Sequence, residues 1–343
     1  MRAALFHGRG DVRIETVADP SLTAPTDVVL EVLRAAICGT DSSEWDHGPI
    51  LCRPGVVLGH EFVGRVVEVG REVTALAVGD RVVSGAGISC GACRWCLDGR
   101  TNLCASYRTL GLQVDGGLAG LVATPAAICR LVPEACDDDA AAMAQPFAVG
   151  LHALARAGVS ATDSVAIIGC GGIGAFIVAG AANRVTRGRV VALDIDAGRL
   201  ATARALGAGE AVDASGRDLA ELMLELTAGV GFDVVIEASG APHAPAAAIA
   251  AARRGGRVLI VGLHGAPREI DLTRMTLREV DIVTTVAHVC DSDLPAALAL
   301  LAGSDVARIV AGPRIALSAL VEEGLRPLAE RRAAGKILVD PRG

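Results

Sequence analysis

Four cysteines, Cys90, Cys93, Cys96 and Cys104, fall in one short stretch with the spacing C-x2-C-x2-C-x7-C. Four thiolates this close can surround one tetrahedral Zn²⁺ through bonds of about 2.3 Å, leaving no position for water. Such a centre is closed: it folds a loop and runs no reaction. The competing reading is a pair of disulfides. No basic, apolar leader with a small-residue cleavage site opens the sequence, so an oxidised compartment has no support. Ten cysteines spread over 343 residues are expected to be reduced thiols and metal ligands in a soluble, cytoplasmic protein.

A second chemistry is written in Gly169-Cys170-Gly171-Gly172-Ile173-Gly174, a G-x-G-x-x-G run between an apolar strand pattern and an apolar helix pattern. Glycines there permit a tight turn, close approach of a pyrophosphate and close helix–sheet packing. The helix N-terminus adds amide donors and a favourable dipole. Asp194 stands 20 residues beyond Gly174, at the end of the next predicted strand. A carboxylate there accepts hydrogen bonds from adenosine ribose hydroxyls and repels a 2′-phosphate, which favours NAD(H) over NADP(H). Arg199 is the nearby cation that could meet a phosphate. The competing reading makes the glycines a packing device and Asp194 a solvated strand-end carboxylate.

Cys38-Gly39-Thr40-Asp41 and Gly59-His60-Glu61 are the remaining candidates for metal chemistry. A thiolate and an imidazole are suitable zinc ligands, and each is followed by an acid that can support it from behind. Taken singly, Cys38 reads as a small buried hydrophobe and His60 as a hydrogen-bonded core residue.

These residues need two kinds of scaffold. Residues 28–33 and 64–69 alternate apolar and polar types, as antiparallel strands do. From about Leu151, short apolar strands alternate with Ala-rich helices, the strands being placed at 164–168, 189–193, 233–236 and 257–261. That spacing predicts βαβ units and a doubly wound parallel sheet, so the fold class is α/β. Residues 335–340 read as a final strand. Residues 165–182 carry no charge, the lower edge of a membrane-span signal, but five glycines and the preceding Asp163-Ser164 predict strand, turn and helix instead. The formal charge is −7, and 31 of 32 basic residues are arginine, Lys336 being the only lysine. No basic run interleaved with aromatics is present, which excludes nucleic acid as the expected partner, and membrane is excluded likewise.

Together these motifs resemble the zinc-dependent medium-chain dehydrogenase/reductase family, in its sorbitol, butanediol and threonine dehydrogenase branch. The resemblance runs through Cys38-Gly39-Thr40-Asp41, Leu58-Gly59-His60-Glu61-Phe62 with Gly64, Val78-Gly79-Asp80-Arg81-Val82 and the four-cysteine lobe. It continues through Gln145-Pro146-Phe147-Ala148-Val149, the glycine run, and Asp194 to Ala208. It implies a GroES-like β-rich catalytic domain over 1–149 with the zinc lobe at about 88–106. A Rossmann NAD-binding domain over 150–287 follows, and 288–343 returns to complete the catalytic domain.

The resemblance further implies one catalytic and one structural zinc per chain, with NAD(H) as cofactor. The catalytic zinc falls to Cys38, His60 and Gln145, with Glu61 as a carboxylate on or beside it. Gln145 departs from the branch, which usually has glutamate there; a neutral amide leaves the metal more positive, and a supporting amide with water in its place is the alternative. The cofactor residues are Gly169, Gly171, Gly172, Ile173, Gly174, Asp194 and Arg199, and Thr40 is the family's proton-relay hydroxyl. Trp45, His47 and His288 fall in stretches that line the substrate pocket of sorbitol-type enzymes; an imidazole at His47 could hydrogen-bond a polyol or assist proton exit, and a solvated loop histidine is the alternative. His288-Val289 replaces an arginine-tyrosine pair, so a polyol other than sorbitol, a modified sugar, a cyclitol or a diol is the expected substrate. A redox-neutral epimerase that retains NAD, and a non-enzymatic zinc-stabilised nucleotide-binding protein, are the alternative functions. A homodimer or homotetramer is implied by the family. His7, His152, His243, His264, Cys52, Cys129, Cys136, Cys170 and Cys290 read as structural or surface groups.

Overall fold

Strand Asp27–Ala36 is buried along nearly its whole length, and it organises the first part of the protein. Its Val- and Leu-rich sequence can face apolar neighbours on both sides, which places it centrally in a sheet. A computed structural model describes all 343 residues, and the chain divides into two units: Met1–Ala148 with Ala287–Gly343, and Val149–Val286.

In the first unit a seven-stranded sheet runs in the order Ala311–Ala316, Lys336–Asp340, Asp27–Ala36, Glu61–Val69, Arg81–Ser84, Cys129–Leu131, with Leu121–Pro125 also paired to Asp27–Ala36. The last strand of the chain pairs antiparallel with the third, Leu338 opposite Ala36. The C-terminal segment is thereby tied to the strand that leads into Cys38. Arg34 adds a polar clamp: its Nε donates to Asp139 Oδ1 at 2.7 Å, and its Nη1 lies 3.5 Å from Asp340 Oδ2. Phe6, Leu30, Phe62, Leu110, Leu118 and Leu320 fill the core beneath this sheet.

The second unit is a six-stranded sheet, parallel throughout, in the order Glu210–Asp213, Arg189–Asp194, Ser164–Ile168, Phe232–Glu237, Ala252–Ile260, Asp281–Thr284. Numbered along the unit, that is 3-2-1-4-5-6, the doubly wound order whose switch point lies between the first and fourth strands. The uncharged run at 165–182 is split into strand Ser164–Ile168 and helix Gly172–Arg184. No helix is long and apolar enough to cross a membrane.

Candidate metal centres and cofactor cradle

The four lobe cysteines converge, and none of the ten cysteines is in a disulfide. Cys93 Sγ lies 3.6 Å from Cys96 Sγ, and Cys90 Sγ lies 4.0 Å from it. Sulfurs at the corners of a tetrahedron with bonds of about 2.3 Å stand about 3.8 Å apart, so the four fit one zinc ion. Backbone amides point at the sulfurs: Cys90 N donates to Cys104 Sγ at 3.2 Å, and Cys93 N to Cys90 Sγ at 3.4 Å. Amide donors, Ala105 first and then Cys96, lower the Cys93 thiol, while burial first and the Cys93 hydrogen bond next raise its neighbour Cys96, so the shared proton settles on Cys96.

A second cluster sits where two strands of the first unit meet. Cys38 follows strand Asp27–Ala36 and caps helix Gly39–His47, while His60 and Glu61 stand at the start of strand Glu61–Val69. The pairing of Ala36 with Glu61 sets these ends side by side. One ligand atom each from Cys38, His60 and Glu61 then lies within 4.8 Å of the others. Asp41 is fully buried behind them. Its Oδ2 accepts from Cys38 N at 2.9 Å, and its Oδ1 lies 3.7 Å from His60 Nδ1. Burial opposes a charge on His60, but the carboxylate of Asp41 and the thiolate of Cys38 outweigh it and lift the imidazole to about 10. A dication can take over that role, since the donor set of sulfur, imidazole and carboxylate is one that zinc accepts. Thr40 Oγ1 lies 3.6 Å from Cys38 Sγ. Gln145 is buried in the first turn of helix Ala144–Ala157.

The other pocket candidates are placed differently from one another. Trp45 is buried in the core of the first unit, with the Arg326 guanidinium 5.3 Å from its ring centroid. His47 is exposed beside Asp46, and His288 is buried just ahead of helix Cys290–Ala302. The loop after Trp45 is held by Glu44, whose carboxylate accepts from Ile50 N at 2.8 Å and Leu51 N at 2.7 Å.

Sequence reasoning did not reach the partner of Glu61. Lys336 Nζ is 2.5 Å from Glu61 Oε2, and both side chains are buried. Burial opposes the ammonium, but Glu61 first and Cys38 next reverse that effect and hold Lys336 charged. The available signal was the lone lysine in an arginine-rich chain.

In the second unit the glycine run forms the turn into helix Gly172–Arg184. Gly169 has φ +90°, and a Cβ there would stand 2.7 Å from Ser239; at Gly174 it would stand 1.9 Å from Gly169 O. Only glycine allows both approaches. Nothing occupies the Cβ direction of Gly172 within 4 Å, which leaves open space at the helix N-terminus for a phosphate. Asp194 Oδ2 accepts from Cys170 N at 2.7 Å, and Oδ1 from Ile195 N and Asp196 N at 2.8 and 3.0 Å. Two carboxylate oxygens offer about four lone-pair sites, so an acceptor position remains for a ribose hydroxyl. Arg199 Nη1 stands 4.0 Å from Asp194.

Residues 24–134 match the model of the alcohol dehydrogenase GroES-like domain, and residues 172–303 that of the zinc-binding dehydrogenases. A sorbitol dehydrogenase of Bacillus subtilis is 34% identical over 267 residues, covering 77% of this chain and 75% of the relative. The chain belongs to the zinc-dependent medium-chain dehydrogenase family. An L-threonine 3-dehydrogenase of Paraburkholderia xenovorans is 36% identical over 259 residues, or 75% of each chain. The solved 2R,3R-butanediol dehydrogenase of Bacillus subtilis superposes with a TM-score of 0.90 at 30% identity, covering 99% of both chains. Membership makes the protein an oxidoreductase of the alcohol and polyol dehydrogenase group. The four-sulfur lobe and the Cys38-His60-Glu61 cluster could each hold a metal ion in a chain of this zinc-binding family.

Proposed function

We propose that this protein is a zinc- and NAD-dependent dehydrogenase that interconverts a secondary alcohol and its ketone. The observation that carries this reading is the gathering of Cys38, His60 and Glu61 ligand atoms within 4.8 Å, apart from the closed four-sulfur lobe. Cys38 and His60 would hold the metal with Gln145 as a third donor, a set that does not close the coordination sphere on its own. When bound, zinc polarises the substrate oxygen and stabilises its negative charge, and the nicotinamide exchanges hydride with the carbon that bears it. In the oxidative direction alcohol and NAD⁺ give ketone, NADH and one proton.

The chain's own groups manage that proton. Thr40 Oγ1, beside Cys38, can accept one proton while donating another, and so passes charge away from the substrate oxygen. Thr40→Val keeps the side-chain shape and removes the hydroxyl. It is expected to lower kcat by about 10²-fold while NADH binding holds, as loss of a proton-transfer group does. Full turnover in this variant would remove Thr40 from the mechanism.

Asp194 supports NAD(H) over NADP(H), because a buried carboxylate with an acceptor left over suits a ribose diol and repels a phosphate. A hydrogen bond to a charged group contributes about 1.5–3 kcal/mol, so Asp194→Ala is expected to raise the KM for NAD⁺ about tenfold or more and narrow the preference over NADP⁺. Initial rates with both cofactors check this, and a wild-type preference for NADP⁺ would reverse the assignment.

For the substrate, the relatives act on a polyol, a diol and a hydroxy amino acid by their names, and this chain has His288-Val289 where the resemblance to sorbitol-type enzymes implies a polyol-contacting arginine-tyrosine pair. A polyol other than sorbitol, a modified sugar, a cyclitol or a diol fits that change. A panel of these alcohols with NAD⁺ tests the reading: NADH formation supports it, and inertness towards every secondary alcohol opposes it.

A further inference from the structure

Four arginines, Arg253, Arg254, Arg274 and Arg278, line one open cleft of about 520 Å³ in the second unit, with Leu224 and Val230 as apolar wall. No carboxylate lines it. The cleft lies where the strands begin. Val230 precedes strand Phe232–Glu237, Arg253 and Arg254 stand at the start of strand Ala252–Ile260, and Arg278 lies between helix Leu272–Thr276 and strand Asp281–Thr284. The glycine run is at the opposite end of the same parallel sheet, after strand Ser164–Ile168. Strands of five or six residues are about 17–20 Å long, so the cleft is separate from the cofactor cradle.

Most of these guanidiniums are held in place. Arg278 donates from Nη1 to Ala250 O at 3.0 Å and from Nη2 to Ala252 O, at the end of helix Ala244–Ala251, where a cation suits the helix dipole. Arg254 Nη1 donates to Leu277 O at 3.1 Å. Arg253 Nε donates to Asp233 Oδ1 at 2.6 Å, and Ser164 Oγ steadies that carboxylate by donating to Oδ2 at 2.6 Å. This is the one ion pair among the four arginines, so the cleft carries an excess of three positive charges in a chain whose formal charge is −7. Burial first, then the charges of Arg274 and Arg254, press the Arg278 guanidinium down. Like charges gathered this way repel one another, and an anion between them removes that repulsion. A guanidinium fork engages phosphate oxygens two at a time, and four forks offer more than a single phosphate takes up. The volume is that of a small-molecule site, about 300–1,000 Å³, and the acidic remainder of the chain repels a long polyanion. We propose that this cleft is a binding site for a small molecule bearing a diphosphate, which Arg253, Arg254 and Arg274 grip while Leu224 and Val230 flank it. The site stands apart from the metal clusters and from the alcohol substrate.

The test is calorimetric titration of inorganic pyrophosphate into the holoenzyme at physiological ionic strength, with NADH saturating so that the cofactor cradle is filled. One pyrophosphate per chain is expected to bind. Arg274→Gln and Arg254→Gln are each expected to weaken it about tenfold or more, as loss of a charge-assisted hydrogen bond does, while NADH affinity and turnover stay unchanged. Arg274→Lys keeps the charge without the fork and is expected to fall between the wild type and Arg274→Gln. ADP in place of pyrophosphate separates the two sources of this chemistry: tighter binding places a nucleoside on Leu224 and Val230, and equal or weaker binding leaves the diphosphate alone as ligand. Binding that both glutamine variants leave at wild-type strength puts pyrophosphate elsewhere, at a zinc ion for instance, and overturns the site. Absence of saturable binding, or capture of heparin or DNA without pyrophosphate, overturns it as well. If Arg254→Gln does not fold, Arg274→Gln decides: wild-type affinity overturns the site.

Discussion

Alanine at Cys38 is expected to lower kcat/KM for alcohol oxidation by about 10³-fold or more and to reduce the zinc content from two ions per chain to one. A metal that stabilises charge on the reacting oxygen contributes several kcal/mol to the barrier, and each 1.36 kcal/mol is tenfold in rate. Cys38 is the only thiol in this cluster, and on the proposed ligand set, with Gln145 neutral, it would be the site's constant anionic ligand. Glu61 cannot replace it fully, because one of its oxygens is taken by Lys336. The same site should bind zinc less well as the solution becomes acidic. With no metal present, His60 is lifted to about 10, so at neutral pH zinc must expel a proton from it. Each proton expelled weakens apparent binding about tenfold per unit fall in pH. Kinetics and metal analysis on the purified variant check the expectation. Two zincs and wild-type turnover in Cys38→Ala would remove the cluster from the chemistry.

Serine at Cys96 is expected to act on stability and leave the reactive centre in place. The lobe has little core of its own: Leu97 is 74% exposed and Trp95 37%, the latter with the guanidinium groups of Arg94 and Arg100 at 5.6 and 5.4 Å from its ring centroid. A segment with so few buried apolar contacts draws its order from the metal, whose binding is worth about 10–16 kcal/mol in isolated zinc-finger peptides. Loss of one sulfur should release one zinc and open the chain to protease within residues 88–106, while the fall in kcat stays under about tenfold because this centre has no open position. Limited proteolysis with zinc analysis reads both. A Cys96→Ser chain that keeps two zincs and resists cleavage in the lobe would contradict a four-sulfur site.

Much of this architecture was legible in the sequence because its signals are local. The four cysteines fall within 15 residues, and the glycine run announces strand, turn and helix within ten. Strands at 164–168 and 189–193 were placed within a residue, since buried parallel strands are short apolar runs with sharp ends. The strand predicted over 257–261 instead spans Ala252–Ile260. Its first half, Ala-Arg-Arg-Gly-Gly, lacks any apolar period, and its register shifts between Phe232 and Val234. The site was less legible where it depends on contacts far apart in the chain. No local pattern says that Lys336 meets Glu61, or that Arg34 joins Asp139 and Asp340. Trp45 illustrates the same limit. It packs in the core of the first unit with the Arg326 guanidinium over its ring, a contact with the C-terminal segment that no local pattern announces.

The central claim is that an open zinc site at Cys38 and His60 runs NAD-linked alcohol oxidation. The most direct measurement is NAD⁺ reduction by the best alcohol of the panel before chelation, after removal of zinc from this site, and after its return. Activity is expected to disappear with the metal and to come back with zinc. Turnover that survives removal of that zinc would contradict the claim.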